Sequence, residues 1–123
     1  MTFPTVLLWC SALVFLGVAV QGLFLPKRIL GPLGGRLETP SVANEIRANY
    51  GGMHAGIAAL MVLGALRPQY QAAAVLLMFT FSAGLCVGRT VSWVLDGTPN
   101  RYVRIFFGLE LGGAIAAAVV LWA

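Results

Sequence analysis

The sequence predicts an all-α protein, an integral membrane four-helix transmembrane bundle whose N and C termini lie on the same, outer side of the membrane. Two features of the sequence carry that expectation. Of its 123 residues, 59% are hydrophobic and only 10% charged, far below the roughly 25% charged fraction of an ordinary soluble domain. The apolar residues are also gathered into four runs, each near the ~20 residues needed to cross ~30 Å of hydrocarbon. The helices are expected over about 3–25, 40–66, 68–95 and 99–122, in a single transmembrane domain covering 1–123.

The first run opens Met1-Thr2-Phe3-Pro4 with no Lys or Arg before it. Its apolar core is longer than the ~7–15 residues of a signal peptide, so it reads as a retained span. Leu8-Trp9-Cys10 places a bulky Trp directly before the Cys, which argues against lipoprotein processing. Pro26-Lys27-Arg28 stops this helix, and Gly and Pro punctuate the stretch to Thr39-Pro40, which therefore reads as a loop. Thr39-Pro40 supplies a cap and a first-turn proline for the second helix. Arg67-Pro68 forces the next turn. The third run would extend ~40 Å at 1.5 Å per residue, so it is expected to tilt or protrude. Asp96-Gly97 ends it, and Thr98-Pro99 offers a cap and first turn for the fourth helix.

Orientation follows from the basic residues. Lys27, Arg28 and Arg36 in the first connection and Arg101 and Arg104 beside the third lie on one side, against Arg67 alone on the other. Lys and Arg are enriched in cytoplasmic loops, so the first and third connections are expected in the cytoplasm. Such basic residues can also contact anionic headgroups, at ~1 kcal/mol each near the surface.

This topology draws the polar residues of three helices into one leaflet. His54, Arg89 and Glu110 are each expected roughly 10–14 Å inside the cytoplasmic boundary. Glu45, Arg47 and Asp96 lie nearer the cytoplasm, with Tyr50 and Ser92 between. Arg47, Tyr50 and His54 are spaced three and four apart, as are Arg89, Ser92 and Asp96, so each set forms a helical stripe. An isolated charge at the bilayer centre costs at least ~2.5–3.5 kcal/mol, so such residues face the bundle interior and pair. Arg89 is expected to pair with Glu110, and Glu45 or Asp96 with Arg47.

Gly52 and Gly56, Gly84 and Gly88, and Gly108 and Gly112 are each four apart, the spacing that lets helix backbones approach. Helices two, three and four are therefore expected to meet there. Trp9, Trp93, Trp122, Tyr70 and Tyr102 lie near helix ends, as interfacial anchors do.

Several classes of chemistry have no support in the chain. It holds no Ser-His-Asp arrangement, no multi-His metal pattern and no nucleotide loop. No catalytic residue, metal or cofactor is therefore expected, and no enzyme activity. A net charge of +4 is accounted for by topology, and no nucleic-acid partner is implied.

Asn44-x-x-Arg47-Ala48-x-Tyr50-Gly51-Gly52, then Gly88-Arg89 with Ser92, Asp96-Gly97-x-Pro99 and Glu110, resembles a family of small bacterial four-helix membrane proteins known only as a domain of unknown function. The resemblance implies a multi-pass protein of the bacterial inner membrane and no established activity. The expected function is the binding of a membrane lipid or other amphiphile at the cluster Glu45, Arg47, Tyr50, His54, Arg89, Ser92, Asp96 and Glu110. Arg47 and Arg89 would meet an anionic group, and Tyr50 and His54 would orient it. The alternatives are an accessory subunit docked on a membrane-protein partner, and a small proton-coupled transporter acting as a homodimer through Glu110.

Overall fold

The computed structural model describes residues 1–123 and is all-α. Helix α1 spans Phe3–Phe24, with Pro4 in its first turn, where no N–H is needed. Pro26 ends it, but the connection that follows is not the plain loop expected from its Gly and Pro content. It folds into the short helix α2, Pro26–Leu30, and a 3₁₀ turn, Gly31–Leu33, which closes on Gly34 at a left-handed φ of 77°. That conformation is open to glycine without a Cβ penalty.

Helix α3, Pro40–Ile46, starts at Thr39, whose Oγ1 accepts the Val42 N–H at 3.2 Å. The chain stays helical through a widened π turn, Arg47–Gly52, into α4, Met53–Leu66, so one unbroken rod runs from Pro40 to Leu66. Arg67 is extended, as a residue before proline prefers, and α5 follows over Pro68–Asp96. Gly97, at φ 95°, turns the chain. Helix α6 covers Arg101–Trp122, and its cap is Asn100 rather than Thr98: the Asn100 side chain accepts the Val103 N–H at 3.0 Å.

Helices α1, α5 and α6 are each long and apolar enough to cross a membrane. α1 packs along α4 and the π turn, α4 packs on α5, and α5 on α6, whereas α1 and α6 scarcely meet. The Gln71 side chain reaches the Thr5 hydroxyl at 3.4 Å, which sets the starts of α1 and α5 at one end, here the terminal end. At the opposite, loop end, Asn100 Nδ2 donates to the Pro32 carbonyl at 2.7 Å and ties the 3₁₀ turn to the start of α6.

The two ends are built differently. The core lies toward the terminal end, where Leu8, Met61 and Val75 are fully enclosed among Ala12, Ala74 and Ala117. Small side chains there let the helices close. Toward the loop end α1 stays packed on the π turn, and a cleft opens between it and α5 and α6. Outward-facing Leu13, Leu16, Val87, Ile115 and Val119 remain exposed, an apolar exterior suited to lipid.

The paired glycines do not make the expected close approaches. A Cβ built on Gly56, Gly84, Gly88, Gly108 or Gly112 would meet nothing within 4 Å. Close contact falls instead on Gly22, Gly51 and Gly64. A Cβ on Gly22 would lie 2.5 Å from the Gly51 nitrogen, and one on Gly64 would lie 2.5 Å from the Ala74 Cβ. Glycine spacing four apart permits approach, but which glycines face a neighbour depends on helix rotation, which spacing alone does not encode.

Candidate functional site: a polar-ended cleft

Between α1, α5, α6 and the start of the Pro40–Leu66 rod lies a cleft of about 760 Å³. Beside it α1 and α6 barely touch. Its terminal-end walls are mostly apolar, formed by Leu7, Val14, Phe15, Met78 and Phe81 with the small polar side chains Ser11 and Ser82 among them. Gly112 leaves space along the α6 side, and Ile29 and Leu33 of the first connection close toward the loop end. The polar residues gather at that loop end: Glu45, Asn49, Tyr50, His54, Arg89 and Glu110.

Arg89 on α5 and Glu110 on α6 form a two-pronged ion pair, with Nε to Oε2 at 2.5 Å and Nη2 to Oε1 at 2.6 Å. This is the expected pairing, and the fork geometry matches guanidinium to carboxylate. Both side chains are mostly enclosed, at 28% and 13% exposure. Removing either partner would therefore strand a charge in an apolar wall.

His54 is held by the π turn. The Met53 N–H bonds the Ala48 carbonyl, five residues back, so the Asn49 carbonyl does not receive the donor an α-helix would give it. His54 Nδ1 lies 2.8 Å from that carbonyl oxygen. A carbonyl only accepts, so Nδ1 carries a proton, and in the neutral form of the ring Nε2 is the acceptor. Three aromatic rings fix the imidazole plane: Tyr50 stacks at 5.8 Å and 11°, while Phe15 and Phe81 lie at 5.7 and 5.9 Å.

The same wide turn breaks the expected stripe. In an unbroken α-helix Arg47, Tyr50 and His54 would share a face; an extra residue in the turn rotates the faces on its two sides by roughly 100°. Tyr50 and His54 line the cleft, whereas Arg47 is exposed and borders a separate groove with Lys27 and Arg28. Neither Glu45 nor Asp96 forms the expected ion pair with it. Glu45 instead accepts from Asn49 Nδ2 at 3.0 Å. Ser92 and Asp96 also lie outside the cleft, where the Ser92 hydroxyl donates to Asp96 Oδ2 at 2.8 Å on the exposed last turns of α5.

Of the expected cluster, Glu45, Tyr50, His54, Arg89 and Glu110 come together, and Arg47, Ser92 and Asp96 do not. Phe15, Phe81, Asn49 and Gly112 join the site unannounced. Asn49 had a signal, a polar residue inside the Asn44–Gly52 motif. Gly112 was marked only for helix packing, and Phe15 and Phe81 had no signal, since apolar residues in an apolar helix carry no mark of which face meets a cavity.

A small multi-pass membrane protein with a lipid-facing exterior and one polar-ended cleft is the class these features define. The chain belongs to the family described as domain of unknown function DUF4345, whose model matches residues 3–122. No curated protein and no solved structure matches it.

Proposed function

We propose that the protein is a non-enzymatic binder of a membrane amphiphile, held in the cleft with its tail among Val14, Phe15, Met78 and Phe81 and its head at His54, Tyr50 and the Arg89–Glu110 pair. The observation that carries this reading is the polarity gradient along one cleft: mostly apolar walls toward the terminal end, charged and strongly hydrogen-bonding groups toward the loop end. An amphiphile has the same gradient. A cleft of about 760 Å³ falls within the ~300–1,000 Å³ of ligand sites, and its opening between α1 and α6 offers lateral entry from the bilayer.

The head is uncharged in this reading. Arg89 is the one cation among the cleft residues, and Glu110 already neutralises it. An anionic group would meet two carboxylates, Glu45 and Glu110, and no free cation. His54 Nε2 accepts and the Tyr50 hydroxyl both donates and accepts, which suits a hydroxyl-bearing head.

The reading includes four membrane crossings. α1 and α5 start at the same end and each is long enough to cross, so the chain must return between them, and the Pro40–Leu66 rod is the segment that does so. Both termini then share a side, and the basic first and third connections share the other, the cytoplasmic side by their charge. The bacterial inner membrane is the setting this charge bias suits. A proton path is less favoured because the packed core around Leu8, Met61 and Val75 holds no ionisable side chain. The outward glycines Gly84, Gly88 and Gly108 leave an accessory-subunit role as the second reading.

The test is native mass spectrometry of gently extracted protein, wild type beside Gly112→Leu, which adds bulk inside the cleft, and His54→Ala. Retention of an amphiphile by wild type and its loss from both variants, with helicity unchanged, is the expected result. A wild-type protein that arrives bare, or a bound lipid that survives both substitutions, overturns the proposal.

A further inference from the structure

The cation that left the cleft has company. Arg47, on the first residue of the π turn, borders a groove of about 300 Å³ together with Lys27 and Arg28 from α2, and with Phe24, Leu25, Pro26 and Leu37. Arg47 lies 19 and 20 positions along the chain from Arg28 and Lys27, and the fold brings them to one place. No acidic residue lines the groove, and none of the three cations takes part in an ion pair or a side-chain hydrogen bond. The side chains that could have neutralised Arg47 are engaged elsewhere, Glu45 by Asn49 and Asp96 by Ser92.

The level of the groove matters as much as its charge. α1 ends at Phe24, so its apolar span stops where the cations begin. Phe24 is largely exposed and Leu25 partly so, and both sit on the same groove. Cations directly beyond an exposed apolar edge match the order of groups in a phospholipid at the membrane surface, acyl chains and then phosphate.

We propose that Lys27, Arg28 and Arg47 form a headgroup site for an anionic phospholipid, separate from the cleft and independent of what the cleft holds. Two features set it apart from a diffuse basic surface. The cations converge from two elements onto one concave groove, and they are unpaired, so each retains its full complement of donors for phosphate oxygens. Arg36, Arg101 and Arg104 share the loop end but do not line this groove. Each basic residue near an anionic surface adds on the order of fivefold in binding, so three acting together give a preference on the order of a hundredfold.

The experiment titrates the full-length protein in neutral detergent with phosphatidylglycerol and with phosphatidylcholine of the same acyl chains, counting bound lipids by native mass spectrometry. Wild type is expected to prefer phosphatidylglycerol by roughly ten- to a hundredfold. That preference should vanish in Lys27→Gln/Arg28→Gln/Arg47→Gln, whose three exposed positions leave the fold intact by circular dichroism. It should persist in Arg101→Gln/Arg104→Gln and in the cleft variant Gly112→Leu. Equal binding of the two lipids, or a preference that drops equally in the two charge variants, overturns the site in favour of general surface charge. Displacement of the lipid by millimolar glycerol phosphate would show a soluble phosphate ligand and equally overturn the assignment to a lipid.

Discussion

The ring of His54 is hydrogen-bonded through Nδ1 to the main-chain carbonyl of Asn49, five residues earlier in the same helical rod. That bond depends on the π turn, because an α-helix would direct the Met53 N–H to the same oxygen. One local departure from α-helical spacing therefore fixes the Nδ1 proton of the only histidine, whose ring lines the cleft. π turns of this kind are frequent at functional sites.

His54→Ala frees the Asn49 carbonyl and removes the cleft's imidazole acceptor. It should lower thermal stability by about 1 kcal/mol, the net value of one hydrogen bond, and abolish retention of the cleft ligand. His54→Gln, whose amide can donate in place of Nδ1, should recover the stability without the binding. Thermal denaturation in detergent beside native mass spectrometry separates the two effects.

Arg89→Ala leaves Glu110 without its partner in an apolar wall. The expected loss is about 3 kcal/mol, limited because an orphaned carboxyl can take up a proton. Combining Arg89→Ala with Glu110→Ala should return most of it. Additive losses in reversible unfolding measurements would show that the two residues do not act as a pair.

The glycines divide into two groups with opposite expected signs. Gly22→Ala and Gly64→Ala force atoms into occupied space and should each cost about 1–3 kcal/mol. Gly84→Ala and Gly88→Ala add a methyl in open space and should stabilise by about 0.5–1 kcal/mol through helix propensity. Destabilisation by the second pair would mean that those glycines face a partner subunit, as the accessory-subunit reading requires.

Asn100 caps α6 and also holds the 3₁₀ turn at Pro32. Asn100→Ala should cost about 1 kcal/mol from the cap alone and loosen the Gly31–Leu33 turn that helps close the cleft. Asn100→Asp keeps the cap acceptor but loses the donor to Pro32, so it should loosen the turn at little cost in helix stability. Protease sensitivity within 31–39 reads the loosening directly.

The proposed four crossings would place Gly35 and Thr98 on one side and Thr2 and Gln69 on the other. Single cysteines at these positions, in a background lacking Cys10 and Cys86, should label from opposite faces with a membrane-impermeant thiol reagent. Gly35 and Gln69 labelling from the same face would remove the crossing assigned to the Pro40–Leu66 rod.

Much of the architecture was legible because it follows from local quantities. Runs of apolar residues set the lengths of α1, α5 and α6, and Thr39, Pro68 and Gly97 mark helix ends through backbone preferences that need no neighbour. The Arg89–Glu110 pair was legible too, because two opposite charges at equal depth in an apolar medium have few other ways to be satisfied. What the residues could not reveal is rotation about each helix axis. That rotation decides that Gly22, not Gly52 or Gly88, meets a backbone, that Phe15 and Phe81 flank His54, and that the π turn sends Arg47 to Lys27 and Arg28 while His54 faces the cleft. Periodicity reports which residues share a face only while the helix keeps its period. Once the turn at Arg47–Gly52 departs from it, packing of α1 against Gly51 sets the outcome, and packing exists only in the folded chain.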